Sequence, residues 1–146
     1  MLSTPLRILA QRRRRPTCLR KPRGVAAAEL AVCLPVVALL VVATIEACSA
    51  VFLKQSLTVA AYEGVRTALE EGATVSTVQA TCDRIFADRR IQGAQVSVNP
   101  VNIATLNPGE YVDVTITAPC APNSVIPTTF YRGRSLMANA SMMIEN

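Results

Sequence analysis

Two carboxylates interrupt a long apolar run, Glu29 and Glu46, and a glycine, Gly24, stands five residues before the first. That arrangement suits charge neutralisation across a helix better than bond-making catalysis. If the chain is cut after Gly24, Val25 gains a free α-amine, and Glu29 lies one helical turn away on the same face. A carboxylate there can complement the new ammonium of its own chain or of a neighbour in a low-dielectric setting. A simpler role for Glu29 is a first-turn acid favoured by the helix dipole. That role leaves the glycine unexplained. An acid near the bilayer centre costs about 2.5–3.5 kcal/mol on the insertion scale, so such residues are kept for a partner. Glu46 is expected near the outer headgroup layer, or as a polar contact to a second membrane helix.

Other chemistry is hard to assemble from these residues. The chain has no histidine, and its five cysteines lack metal-ligand spacing, which argues against a zinc or Cys–His site. The scattered acids and serines form no catalytic set, so the sequence reads as non-enzymatic, with no cofactor, metal or small-molecule substrate. Asn139-Ala140-Ser141 is a formal glycosylation triplet whose alternating surroundings suggest chance.

The element that must carry both glutamates is a membrane helix. Residues 1–24 hold eight positive charges, Arg7, Arg12, Arg13, Arg14, Arg15, Arg20, Lys21 and Arg23, and no acid, whereas the other 122 residues carry seven basic and ten acidic side chains. The net +5 therefore belongs to a basic leader. No aromatic residue interleaves with Arg12–Arg15, and the apolar run follows closely, so the charges read as a topology signal and not as a nucleic-acid patch. From Leu30 to Ile45 there are sixteen uncharged residues, and Ala47–Leu53 adds seven more beyond Glu46. About 20 suffice to span, so residues 25–53 are expected to cross the membrane with the leader inside and the remainder outside. Ala47-Cys48-Ser49-Ala50 could end a cleaved signal peptide, but the apolar run is longer than such segments and Glu46 interrupts it. Pro35 should bend the helix.

Apolar spacing continues through Leu57, Ala60, Ala61, Gly64, Val65 and Ala68, which predicts an amphipathic extension over 54–72, the helix as a whole reaching from Val25 to about Glu71 and stopping at Gly72. Thr74 or Ser76 can cap a second helix running to about Arg90, with Val78, Cys82, Ile85 and Phe86 on one face and Gly93 as its stop. Alternation marks strands at 95–99 and 111–117, punctuated by Asn107-Pro108-Gly109, and a last strand within 135–145, where the Ala/Met content would also suit a short helix. Residues 73–146 thus form a small α+β domain: a second helix and a short antiparallel sheet against the outer half of the long helix. Cys82 and Cys120 fall outside the membrane and are candidates for a disulfide worth about 3–4 kcal/mol in the entropic model. Cys33 and Cys48 lie within the bilayer stretch as small apolar residues, and Cys18 lies in the leader.

Arg23-Gly24-Val25-Ala26-Ala27-Ala28-Glu29-Leu30-Ala31-Val32, then Leu34-Pro35, Thr44-Ile45-Glu46, Gln55-Ser56-Leu57 and Ala60-Ala61-Tyr62-Glu63-Gly64-Val65-Arg66-Thr67-Ala68, resemble the TadE family of tight-adherence (Flp) pilus assembly proteins. The resemblance covers about residues 23–70. It implies a pilin-like, pseudopilin-type protein of the bacterial inner membrane, with its N-terminus cytoplasmic and its C-terminal domain periplasmic, engaged in pilus-based adhesion. It further implies that prepilin peptidase cuts between Gly24 and Val25, that Glu29 is the recognition and assembly residue, and that other pilus assembly proteins or pseudopilins are partners through the N-terminal helix. Leu30 departs from the aromatic residue that commonly follows this glutamate. The rival reading is a single-pass anchor that displays a periplasmic binding module unrelated to pili.

Overall fold

The computed structural model describes residues 23–145, with Arg23 by its backbone alone. The topology signal Arg12, Arg13, Arg14, Arg15, Arg20 and Lys21, together with Cys18, lies outside the described residues. The chain divides into two units, Met1–Pro35 and Val36–Asn146. In the first, the described residues are the start of helix α1, Arg23–Ala68, and from Gly24 onward every one of them is exposed. Pro35 lies inside the helix, where its ring removes the backbone bond to the Ala31 carbonyl.

In the second unit α1 changes character. Its side chains are exposed up to Ile45 except for half-buried Ala43; beyond that, Leu53, Leu57, Ala60, Ala61, Val65 and Ala68 enter the hydrophobic core. Alpha-helical bonding ends at Ala68, short of Glu71, because the next amides turn back tightly, Leu69 N–H to the Arg66 carbonyl at 3.1 Å and Glu70 N–H to the Thr67 carbonyl at 3.2 Å. Gly72 then takes a left-handed conformation, φ 76°.

Helix α2, Val75–Arg89, opens on a reciprocal cap. The Thr77 amide donates to Thr74 Oγ1 at 3.3 Å and the Thr74 amide to Thr77 Oγ1 at 3.0 Å. It closes on Arg90, which adopts φ 56° and returns its amide to the Ala87 and Phe86 carbonyls. The expected stop, Gly93, plays a later role. Its left-handed turn packs on the Pro119 ring, which would lie 3.3 Å from an added Cβ.

Strands β1 (Gln95–Asn99), β2 (Tyr111–Pro119) and β3 (Ser135–Met143) form one antiparallel sheet with β2 central. The register places Val98 opposite Val114, and Ile116 between Val96 and Ala138. Period-two alternation sends Val112, Val114, Ile116 and Ala118 inward against α1 and α2, so the fold is α+β. The Ala/Met-rich tail is a strand because its alternation matches that pleat and its backbone completes the ladder to β2. Asn139 Nδ2 spends its bond across the strands on Thr115 Oγ1 at 2.8 Å.

Candidate functional site: the N-terminal helix and its two glutamates

Gly24 and Val25 lie on α1, and a Cβ added to Gly24 would meet nothing within 4 Å. Val25 and Glu29 are both exposed and, four residues apart on one helix, share a face. Glu29 lies within the first two turns of the described part of α1. Among the described residues Glu29 makes no ion pair; the one salt bridge there joins Arg66 and Glu63 at 3.9 Å.

Glu46 is handled differently. It is 2% exposed, and both carboxylate oxygens are occupied by the chain's own backbone. The Thr129 amide donates to Oε1 at 2.5 Å, and the Phe130 and Tyr131 amides donate to Oε2 at 2.9 and 3.3 Å. Three successive N–H groups thus converge on one anion, a charge-assisted arrangement that satisfies donors left over by an irregular loop. The sequence suggested the headgroup layer or a second helix as Glu46's partner. Its actual partner is the connection between β2 and β3. Nothing in the run Thr128-Thr129-Phe130-Tyr131 announces that contact, because a backbone nest needs no particular side chains.

Further along α1, the stretch Ala60-Ala61-Tyr62-Glu63-Gly64 is where three elements meet. A Cβ on Gly64 would stand 2.8 Å from Cys82 Sγ, 3.3 Å from Val114 Cγ1 and 3.5 Å from Val78 Cγ1. Gly64 is therefore the point at which α1, α2 and β2 approach closely. Side-chain bonds bind the two helices along their length: Thr67 Oγ1 to Thr81 Oγ1 at 3.4 Å, Cys82 Sγ to the Ala60 carbonyl at 3.6 Å, and Arg89 to Ser56 Oγ at 3.3 Å. Chain positions fall on α1 as they rise on α2, so the pair is antiparallel. Lys54 Nζ donates to the Met137 carbonyl and ties α1 to β3. Asn123 locks the end of β2 to the exit of α2, donating to the Gln92 and Pro119 carbonyls at 2.9 and 2.8 Å and accepting from the Gln92 amide at 2.8 Å.

The disulfide expectation is corrected. Cys82 and Cys120 are both buried free thiols. Cys82 faces Ala60 and Gly64, whereas Cys120 shares a small pocket with Glu46, Ala50 and Leu53. At 1.5 Å per residue those stations on α1 are about 10–27 Å apart, beyond the ~7 Å that a disulfide permits between Cα atoms. Burial, followed by the nearby Asp83 charge, pushes the Cys82 thiol up to about 11. Burial also raises Cys120, with Arg134 opposing. Cys33 and Cys48 are exposed on the helix surface.

The described residues contain one helix long and apolar enough to cross a membrane, and its apolar stretch is wholly exposed, as fits a single-pass membrane protein with an α+β head. The family model described as TadE-like protein matches residues 24–66, in agreement with the resemblance carried by Gly24–Ala68. The match lies wholly within α1 and contains Gly24, Val25, Glu29, Glu46 and Gly64; α2 and the sheet lie beyond it. No curated protein and no solved structure matches the chain.

Proposed function

We propose that this protein is a pseudopilin-like component of the bacterial inner membrane that takes part in assembling a Tad (Flp)-type pilus, acting by helix packing and not by catalysis. The observation that carries the reading is the family match over residues 24–66, which spans the exposed apolar half of α1 and its Gly24/Glu29 junction. An apolar helix with a single exposed carboxylate can associate with other helices through van der Waals packing, and Glu29 fixes register by seeking a cation. Prepilin peptidase, acting between Gly24 and Val25, would generate that cation as an α-ammonium. The leader stays in the cytoplasm and the head lies in the periplasm, as the positive-inside rule directs for eight leader charges. Surface attachment and adhesion follow from the pilus, not from a ligand site on the head.

In-cell photocrosslinking tests the reading. A photoreactive residue replacing Val32, which is 75% exposed, is expected to capture a pilus subunit or another protein of the same pilus system, identified by mass spectrometry. The adduct should weaken sharply with Glu29→Ala. Adducts to lipid alone, in cells that are making pili, would overturn the proposal and favour a plain anchor for a binding module.

A further inference from the structure

Most basic side chains of the head, with exposed Asp88 among them, gather toward one end of α1. Lys54, Arg89, Arg90, Arg132 and Arg134 are five of the seven basic residues after the leader, and all sit at its lower end. Arg89 reaches Ser56, and Arg90 lines a hollow with Phe52 and Val125. Arg132 follows the nest at Glu46, and the Arg134 carbonyl accepts from Cys120 N–H at 2.9 Å. Glu70, Glu71, Glu110 and Glu145 lie at the other end, where Leu69 shares a hollow with Met142, Met143 and Glu145, and where Ile144 pairs with Glu110. From Glu46 to Ala68 α1 rises 22 residues, roughly 33 Å at 1.5 Å each.

The basic end is also where one face of α1 leaves the exposed apolar run, at buried Glu46, while Val51 and Phe52 keep the opposite face apolar and exposed. Val25–Ile45 comprises 21 residues with Glu29 as its one charge, enough for about 31 Å of helix against a hydrocarbon core of ~30 Å. The nest then pins residues 129–131 to the very next position, Glu46. In this loop Phe130 is 51% exposed and Val125 84% exposed, and residues 124–134 include two arginines and no acid. Exposed aromatic and basic residues at that depth are the composition of a membrane interface. Glu46, the acid at this level on α1, is buried and turned toward amides, so it does not repel anionic headgroups.

We infer that the loop 124–134 is a lipid-interface foot. Phe130 enters the headgroup layer on the head's side of the membrane, and Arg132 and Arg134, with Arg89 and Arg90 behind them, take anionic lipid phosphates. Guanidinium groups suit that bidentate role. Glu46 holds the foot to the helix, so the head stands on the bilayer at fixed height instead of swinging on its anchor. The inference rests on the reading of α1 as a spanning helix.

The chain has no tryptophan, so each introduced indole is a sole fluorescent reporter. Full-length Phe130→Trp, Leu39→Trp and Tyr111→Trp proteins are reconstituted in phosphatidylcholine vesicles containing brominated lipid, with and without phosphatidylglycerol. Leu39 marks the span, and Tyr111, 61% exposed at the far end of β2, marks water. Expected are strong quenching of Leu39→Trp, little of Tyr111→Trp, and quenching of Phe130→Trp at least about twofold above the latter, as befits interfacial depth. Phosphatidylglycerol should deepen the Phe130→Trp signal, and Arg132→Ser with Arg134→Ser should abolish that increment. If Leu39→Trp is quenched and Phe130→Trp matches Tyr111→Trp, the foot is refuted while the span stands. A blue-shifted but unquenched Phe130→Trp would mean a protein contact and equally refutes it. Failure of Leu39→Trp to be quenched would remove the spanning reading and the foot together.

Discussion

At the scale of single residues, the two glutamates of α1 have opposite fates. Glu29 is exposed on a helix face, while Glu46 is consumed by three amides of its own chain. Removing the Glu46 carboxylate leaves those donors without acceptors in a part-buried place, a loss that local opening relieves. Glu46→Ala is therefore expected to speed amide exchange at Thr129–Tyr131 by about tenfold or more while leaving β2 protected; unchanged exchange there would deny the nest its anchoring role. At the junction, N-terminal sequencing of membrane-extracted protein from cells making the pilus should begin at Val25. A start at Met1 contradicts processing. Glu29 as a candidate was legible from its glycine spacing alone. Its distinction from Glu46 was not, because the distinction comes from a loop more than eighty residues away in sequence.

Among elements, periodicity carried most of the information. The 3.6-residue pattern announced α1 and α2, and the two-residue pattern announced β1 and β2 and favoured β3, whose Ala/Met content also suited a short helix. What it could not announce were the contacts between faces. Cys82 and Cys120 looked like a bridge because both lie beyond the span, yet each addresses a different turn of α1. Gly64 likewise read as one more small residue, whereas it sets the approach of two helices and a strand. Gly64→Val should destabilise the head by about 1–3 kcal/mol, the usual cost of overpacking, measured by thermal unfolding of the solubilised protein. With Gly64→Ala the helix gains about 0.5–1 kcal/mol of propensity, so its net cost is smaller. That cost should shrink further in a Cys82→Ala background, because the nearest clashing atom is Cys82 Sγ at 2.8 Å. Additive effects of the two changes would contradict the close approach.

The Cys82 thiol adds a pH signature to the same packing. Its folded value, about 11, exceeds the ordinary 9.0 because burial penalises the thiolate. The folded state then holds more protons than the unfolded state between those values. The contribution is complete below pH 9 and is lost as pH rises toward 11. Wild-type protein should lose stability over that window relative to Cys82→Ala. Parallel curves for the two proteins would count against a buried, protonated thiol.

For the whole molecule, the sequence divides labour along the chain. An exposed apolar helix carries the family match and the junction, and the head beyond it is joined through Glu46, Gly64 and Lys54. On the function proposed above, what the helix packs against is what matters. The most direct test of the assembly role is to delete the gene and count surface pili by electron microscopy, complementing with wild-type and Glu29→Ala chains expressed at equal membrane levels. Expected are few or no pili after deletion, restoration by the wild type, and failure of Glu29→Ala to restore them. Normal pilus numbers in the deletion strain would contradict it.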